Sequence, residues 1–345
     1  MPYNMGMTDI TLVLPFALPP SDLAPDLIKA LDAPSLATLI GRAAIDVAPP
    51  YPHSRALPHE NWLAQALGLV GDGQPAFATA AMRGYRLDPG SSDWFIVNPA
   101  HFDIARSHLS LADPRKLRLS DIHGRALYDT ARPYFDELGH TLLFGDAQTW
   151  FMRAGDWNTL QTATPDNAIG LNLTDWLPTG PAEVAYRRLQ NEIQMLWFTH
   201  PANAEREAGG LAAVNAFWIW GCAHGAAAMP QRPAFAVTGA AGWLGAMQPV
   251  AIDPATVFEG ATGDTVLLSG ELIGPALRGD WATWLEQMKR MDQTQFSRAL
   301  GALNTGSIQR VRLVLSHRDG LTSFTTTKWA QRAFWRSPSL ARLLP

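Results

Sequence analysis

Polar side chains that bind anions are concentrated in one largely apolar segment of this chain, residues 189–221, LQNEIQMLWFTHPANAEREAGGLAAVNAFWIWG. With one residue just before the segment, the candidates are Arg187, Asn191, His200, Asn203 and Arg206. A guanidinium makes two parallel hydrogen bonds to a phosphate or carboxylate, and amide groups add directional donors. We therefore predict that these residues bind a phosphorylated or carboxylated small molecule.

The same residues have an architectural alternative, which the sequence leaves open. Arg187 and Asn191 recur at helical spacing, as residues of a solvated helix face also do. Asn203 follows Pro201 and is placed to cap the next short helix. Asn215 is placed to satisfy backbone groups at a strand end.

Other motifs with catalytic potential are weak. The segment TGAAGWLGAM follows a strand but lacks the G-x-G-x-x-G spacing of a dinucleotide site. Neither G-x-S-x-G nor H-E-x-x-H occurs. Cys222 and His224 lie two residues apart, but a buried structural thiol is the favoured interpretation of this cysteine.

Composition narrows the class of protein. A formal net charge of -4 gives no general attraction to nucleic acid or to an anionic membrane. The single cysteine excludes a disulfide framework and a thiolate metal cluster, and it fits a reducing, cytoplasmic compartment. No uninterrupted apolar run is long enough to span a membrane. We expect a cytoplasmic globular protein with no nucleic-acid or membrane partner.

Continuous apolar runs predict the strands that position these residues. They cover residues 10–18, 213–220, 234–239, 265–270 and 310–316. Runs of this kind are typical of strands buried on both faces, and helical segments lie between several of them. The pattern predicts an α/β fold with a mostly parallel sheet flanked by helices.

The middle of the chain has a different character. Residues 89–180 contain short alternating segments, many aspartates and many turn residues. We predict an inserted α+β domain over 89–180, with the α/β core formed by 1–88 and 181–345. Helical spacing predicts long helices from residue 181 to 200 and from 280 to 300.

Five segments carry a family resemblance: HPAN at residues 200–203, Arg206 shortly after it, VNAFWIWG at 214–221, DAPSLATLIGRA at 32–43 and GDWATWLEQMKRMD at 279–292. Taken in their order along the chain, these segments resemble the bacterial regulatory-protein RpfE family. More distantly, they resemble the archaeal-type cofactor-independent phosphoglycerate mutases. The latter belong to the alkaline phosphatase superfamily. The resemblance covers nearly the whole chain and implies an alkaline-phosphatase-like core.

Departures from the family pattern affect its metal site. Active members bind two divalent metals through Asp and His, and their first strand ends in an Asp. In this chain, Pro15 and Phe16 stand at the end of the first strand. Ser316, just before His317, stands where a later ligand Asp is expected. Leu277 lies in the segment that corresponds to a metal loop, and this segment contains no His. The resemblance therefore implies that the metal pair has been lost, and we predict no metal and no cofactor.

The nucleophile of the mutases also has no direct counterpart. Their Ser loop corresponds to LPHENWLA, with His59 and Glu60 near the Ser and Asp positions. Imidazole is a competent phosphate acceptor, so His59 and Glu60 are the catalytic candidates if the chain is an enzyme. A structural or binding role of this segment is the favoured alternative.

A second cluster of candidates lies in the predicted insertion. Resemblance to RpfE-like segments implies that Asn98, His101, Trp150 and Arg153 face the cleft between the core and the insertion, a usual location for ligands. We add these four residues to the predicted ligand-binding set.

These observations favour a catalytically degenerate phosphoglycerate-mutase-like protein that binds an anionic small molecule or a protein partner in a regulatory role. The first alternative is an active phosphoglycerate mutase or related phosphotransferase, and the second is a structural scaffold. Fold alone does not separate these functions, because function depends on the site.

Overall fold

The computed structural model describes residues 9–51, 54–104, 108–226, 234–240, 242–248, 256–260, 263–333 and 335–344. Its strands are β1 (Asp9–Leu14), β2 (Ala44–Val47), β3 (Val70–Gly71), β4 (Gln74–Pro75), β5 (Asp93–Ala100), β6 (Phe102–Ile104), β7 (Leu109–Leu111), β8 (Leu142–Asp146), β9 (Thr149–Arg153), β10 (Ala216–His224), β11 (Ala234–Thr238), β12 (Thr265–Ser269), β13 (Arg310–Ser316) and β14 (Leu321–Thr327).

The helices are α1 (Ala24–Ala30), α2 (Pro34–Gly41), α3 (Pro58–Ala66), α4 (Ala78–Gly84), α5 (Pro114–Leu117), α6 (Asp121–Glu137), α7 (Pro165–Ala168), α8 (Glu183–Phe198), α9 (Pro201–Ala208), α10 (Trp243–Ala246), α11 (Val257–Gly260), α12 (Ile273–Leu277), α13 (Trp281–Met291), α14 (Ser297–Thr305) and α15 (Lys328–Gln331). Among the described residues, none of these helices has the length and apolar character needed to cross a membrane.

The chain divides into two compact units. Unit 1 comprises Met1–Pro52, Gln231–Ala241 and Gln248–Pro345, and unit 2 comprises His53–Pro230 and Gly242–Met247. The domain boundaries at residues 89 and 180 stay a prediction beside this division into units.

Unit 1 is built on a six-stranded sheet in the order β11-β12-β1-β13-β14-β2. The strands β11, β12, β1 and β13 run parallel, whereas β14 and β2 are antiparallel to their neighbours. Side chains of β1 and of α13, among them Leu12, Leu14, Trp284 and Met288, are fully buried in one hydrophobic core. The α/β fold with a largely parallel sheet and flanking helices, predicted from the apolar runs, is confirmed.

Unit 2 is built on a four-stranded antiparallel sheet in the order β10-β5-β9-β8. The sequence assigned the run at 213–220 to the parallel sheet, and this assignment is wrong because β10 pairs antiparallel with β5. Helix α8 packs on the same sheet, with Tyr186 and Trp197 buried in a core that also contains Phe217. A continuous apolar run identifies a buried strand but not the sheet to which it belongs.

The long helix predicted over residues 280–300 is interrupted. A π-helical turn, Asp292–Phe296, separates α13 from α14. The carboxylate of Asp292 accepts hydrogen bonds from the backbone N–H groups of Ser35 (3.2 Å) and Leu36 (2.7 Å), in the first turn of α2. The π-helical turn is thereby fixed against α2, and turns of this type occur frequently at functional sites.

Candidate functional site

The four parallel strands of unit 1 end at one edge of the sheet. Their last residues are Leu14, Thr238, Ser269 and Ser316. In parallel α/β sheets, ligands bind beyond the carboxyl ends of the strands. A ligand of unit 1 is therefore expected at this carboxyl edge.

The chain leaves β1 through a strained residue. Phe16 has a φ of 58°, in the left-handed region that bulky side chains seldom adopt. Its backbone N–H donates to Ser316 Oγ at 3.3 Å, and its carbonyl accepts from Trp284 Nε1 at 2.8 Å. These contacts hold the turn at the point where the sequence resemblance expects a ligand aspartate.

The residues at this edge do not fit a two-metal centre. Such a centre needs several carboxylate and imidazole ligands within a few ångströms. Ser316 is fully buried and its hydroxyl is engaged with Phe16. In the part of the chain that the structure describes, no three His, Cys, Asp or Glu side chains are grouped so that they could hold a metal ion. We derive no metal-dependent step for this chain.

A cavity of about 490 Å³, here called the arginine cavity, lies at the carboxyl ends of β11 and β12. Its lining residues come from the ends of those strands, from α13, from the π-helical turn and from α14: Gly239, Glu271, Gln287, Arg290, Met291, Thr294, Gln295 and Arg298. The π-helical turn thus lies in the wall of a cavity at the edge where ligands are expected.

Gly239 makes room for the carboxylate of Glu271. Gly239 has a φ of 62°, and a Cβ atom on it would lie 2.6 Å from both Cγ and Cδ of Glu271. The Oε2 atom of Glu271 is buried and accepts no hydrogen bond from the described residues. A buried acceptor without a partner is rare and calls for an explanation, and a donor on a ligand would provide one.

A chain of hydrogen bonds orients Gln295 in the same wall. Ser269 Oγ donates to Gln295 Oε1 at 2.7 Å, and Thr238 Oγ1 donates to Ser269 Oγ at 3.2 Å. The amide NH2 of Gln295 makes no hydrogen bond within the described part of the chain. Gln295 therefore offers donors, whereas Glu271 offers an acceptor.

Two exposed arginines supply the positive charge of the cavity. Arg290 is the penultimate residue of α13, and Arg298 is the second residue of α14. Both line the cavity, on either side of the π-helical turn. The cavity thus combines two guanidinium groups with one carboxylate and one amide.

The structure gives the predicted anion ligand Arg206 an architectural role. Its side chain is 1% exposed. Its Nε and Nη2 donate to the carbonyl of Ala212 at 3.0 and 2.8 Å, and Nη2 also donates to that of Leu117 at 2.7 Å. Nη1 is buried without a partner in the described residues. Burial lowers the pKa of this guanidinium.

Asn203 is also engaged with the backbone. Its Nδ2 donates to the carbonyls of Trp197 and Val214, both at 2.8 Å, and its Oδ1 accepts from the Val214 N–H at 2.8 Å. This pattern ties the end of α8 to the start of β10, so the side chain has no group left for an anion.

The remaining members of this set do not complete a pocket. His200 caps α9, with Nδ1 accepting from the Ala202 N–H at 3.1 Å and Nε2 lying 3.0 Å from Thr130 Oγ1. Arg187 and Asn191 are exposed on α8. The geometry favours the architectural alternative for this segment, because it does not direct the five side chains toward one cavity.

His59 and Glu60 are both buried in the first turn of α3. Glu60 Oε2 accepts from the Leu57 N–H at 2.7 Å and from Thr164 Oγ1 at 2.6 Å. Burial raises the pKa of Glu60 to about 8, with a further increase from nearby Asp166. Burial also lowers the pKa of His59 to about 3. Burial of both groups gives no geometric support to the predicted catalytic role.

The four candidates from the predicted insertion belong to unit 2. Asn98 Oδ1 accepts from Trp220 Nε1 at 2.6 Å, and the Asn98 amide also donates to a backbone carbonyl at 2.6 Å. Trp150 is fully buried in the hydrophobic core. His101 bonds a backbone carbonyl at 2.7 Å, and Arg153 is exposed. Their ligand-binding role stays a prediction, and for Asn98 and Trp150 the contacts indicate packing.

Comparison with known proteins shows similarity at the level of fold alone. No family model and no curated protein matches the chain. The structure of PH0037 protein from Pyrococcus horikoshii matches with a TM-score of 0.52 and 13% identity, over 93% of this chain and 88% of that one. This similarity shows a shared fold and says nothing of activity.

A cofactor-independent phosphoglycerate mutase from Thermoplasma acidophilum gives a TM-score of 0.43 and 14% identity, over 97% of this chain and 94% of that one. At this TM-score the similarity carries no weight for fold or function. The comparisons do not support the RpfE name, which stays a prediction from the sequence motifs.

Proposed function

We propose that this chain is a phosphoglycerate-mutase-like protein that binds a small phosphorylated hydroxy acid in the arginine cavity without transferring its phosphoryl group. The observation that carries the proposal is the combination, in one cavity, of two guanidinium groups with the Oε2 atom of Glu271, which is buried and has no hydrogen-bond partner among the described residues. In such a protein, binding without turnover would serve a regulatory role.

The donors and acceptors of the arginine cavity fit a molecule of the phosphoglycerate kind. Arg290 and Arg298 would each bind one anionic group, a phosphate or a carboxylate, through paired N–H donors. A ligand hydroxyl would donate to Glu271 Oε2, and the Gln295 amide would donate to a ligand oxygen. The volume of about 490 Å³ lies in the range of small-molecule sites.

The absence of phosphoryl transfer is inferred from the side chains at the carboxyl edge. Transfer depends on a positioned acceptor and on groups that neutralise the developing charge at the attacking and leaving oxygens. Phe16 and Ser316 stand where the resemblance expects ligand aspartates. The backbone N–H of Phe16 donates a hydrogen bond to the Ser316 hydroxyl. The nucleophile candidate His59 is buried in unit 2.

Calorimetric titration with 3-phosphoglycerate tests the binding proposal. We expect the wild-type protein to bind it, and the double variant Arg290→Gln/Arg298→Gln to bind at least about 100-fold more weakly, because charge-assisted hydrogen bonds contribute about 1.5–3 kcal/mol each. The matched control is Lys289→Gln, which removes one positive charge from the same helix. Lys289 pairs with Asp32 at 3.0 Å and does not line the cavity.

Wild-type protein that gives no binding heat, or a double variant that binds as tightly as the wild type, would contradict the proposal. A Lys289→Gln variant that loses as much affinity as the double variant would also contradict it, because the effect would then be one of net charge. The same titration with glycerol, which keeps hydroxyls but has no anionic group, should give no heat.

A further inference from the structure

A second cavity in unit 1 is separate from the arginine cavity. It has a volume of about 750 Å³ and lies at the ends of β1 and β13, beside the start of β14 and the exposed strand β2. The two cavities share none of their lining residues. We call the larger one the apolar cavity because most of its lining residues are apolar.

Apolar side chains form most of these walls. They include Phe16, Leu277 and Trp281, together with Ile45 and Val47 of β2. In β2, Ile45 and Val47 point to the same face, because strand side chains alternate with a period of two. Their exposures are 49% and 67%, so much of this apolar surface is in contact with water. An apolar ligand would gain free energy by covering it.

One polar group in the apolar cavity, the imidazole of His317, offers a hydrogen-bond donor. His317 Nδ1 accepts from the Asp319 N–H at 3.1 Å, so in the neutral ring the proton lies on Nε2. Burial lowers the pKa of His317, which favours the neutral ring. Among the described residues, Nε2 has no hydrogen-bond partner.

The position of the His317 ring depends on Gly320. A Cβ atom at Gly320 would lie 2.6 Å from His317 Nε2, so any larger residue would displace the imidazole. The backbone N–H of His317 also donates to the Gly320 carbonyl at 3.0 Å. The tight turn therefore sets the imidazole in the wall of the cavity.

Charges at the apolar cavity do not suit a polyanion. Arg318 and Arg342 line it together with Asp22 and Asp319, so its charged groups balance. The guanidinium of Arg342 is engaged by the carbonyls of Ile40 and Ala43. A molecule with one acid group and a large apolar body fits this arrangement better than a phosphorylated metabolite does.

We propose that the apolar cavity binds an amphipathic organic acid, with its aliphatic or aromatic body against β2, Phe16 and Trp281 and its acid group accepting from His317 Nε2. This inference does not depend on the function proposed for the arginine cavity. It assigns a ligand to the position where the resemblance would place a metal pair.

Anilinonaphthalene sulfonate, a fluorescent dye with an aromatic body and one acid group, is the probe for the test. We expect saturable binding of one dye by the wild-type protein, and binding at least about tenfold weaker by Val47→Glu, since a charge replaces apolar surface in the wall. The matched control is Val184→Glu, on α8 of unit 2. Val184 is 72% exposed and Val47 is 67% exposed, so both variants are expected to fold.

The acid group is tested with His317→Asn and with a second probe. Asparagine keeps an acceptor near the Nδ1 position but loses the Nε2 donor. We expect His317→Asn to weaken dye binding about tenfold and to leave binding of N-phenylnaphthylamine, which lacks the sulfonate, unchanged. If His317→Asn weakened the binding of both probes equally, His317 would not be the donor to the acid group.

Two other results would overturn the proposal. One is dye binding that Val47→Glu leaves unchanged, or that Val184→Glu weakens equally. The other is loss of dye binding in Arg290→Gln/Arg298→Gln, which would place the dye in the arginine cavity. Failure of the phosphoglycerate titration, with dye binding as expected, would contradict the proposed function alone.

Discussion

Replacing Arg206 with alanine should lower the free energy of unfolding of unit 2 by about 3 kcal/mol. The change leaves the carbonyls of Ala212 and Leu117 without their buried donor, and each orphaned group costs about 1–3 kcal/mol. It also removes a large side chain that is 1% exposed. The measurement is equilibrium urea unfolding followed by near-ultraviolet circular dichroism, which reports the packed aromatic core.

The control for this prediction is Arg187→Ala. Arg187 is exposed on α8, and its contact with Glu183 is a surface ion pair at 3.7 Å. Exposed pairs of this kind contribute less than about 1 kcal/mol. If Arg206→Ala were as stable as Arg187→Ala, the guanidinium would not support the backbone of unit 2. Its predicted role as an anion ligand would then regain support.

Glu60 should make the protein less stable as the pH rises. Its pKa is raised in the folded state from 4.5 to about 8, mainly by burial, so the folded protein holds a proton that the unfolded chain releases. The stabilisation is complete below about pH 4.5 and is lost as the pH rises through about 8. A shift of this size corresponds to about 3–5 kcal/mol.

The Glu60→Gln variant tests this pH dependence. Glutamine can accept from Leu57 and Thr164 as the carboxylate does, but it does not ionise. Near pH 9 we expect the variant to be about 3 kcal/mol more stable than the wild type, with little difference near pH 5. The control Glu207→Gln alters an exposed carboxylate of unit 2 and should give parallel curves. A wild-type stability that stays constant between about pH 6 and 9 would contradict the prediction.

His59 has the opposite pH dependence at the acid end. Its pKa is lowered from 6.5 to about 3 by burial, so it contributes stability that is present above 6.5 and lost as the pH falls toward about 3. Between about 4.5 and 6.5 the two neighbours act in opposite directions. The stability curve of Glu60→Gln should therefore keep the acid limb of the wild type.

Sequence patterns were sufficient for the parallel strands of unit 1. Strands buried on both faces read as continuous apolar runs, and β1, β12 and β13 correspond to such runs. The run that became β10 has the same character, yet it pairs with β5. Pairing partners depend on contacts between distant segments, which periodicity does not encode.

For some candidate residues the contacts favour an architectural role, because two roles require the same types of side chain. Arginine and asparagine bind anions, but they also saturate backbone carbonyls in a core, as Arg206 and Asn203 do. The arginine cavity was missed because a π-helical turn separates Arg290 from Arg298 and breaks the helical period. The Gly239 contact with Glu271 joins residues distant in sequence. The one available signal was Glu271, an acidic residue just after an apolar strand.

Phosphorus NMR of 3-phosphoglycerate incubated with the protein and Mn²⁺, with the metal removed before the spectrum is recorded, tests binding without transfer most directly. We predict that 3-phosphoglycerate remains unchanged, because the described residues at the carboxyl edge of unit 1 include no grouped metal ligands and His59 is buried. Formation of 2-phosphoglycerate in proportion to protein concentration, and its loss in folded His59→Ala, would show that the chain is an active mutase.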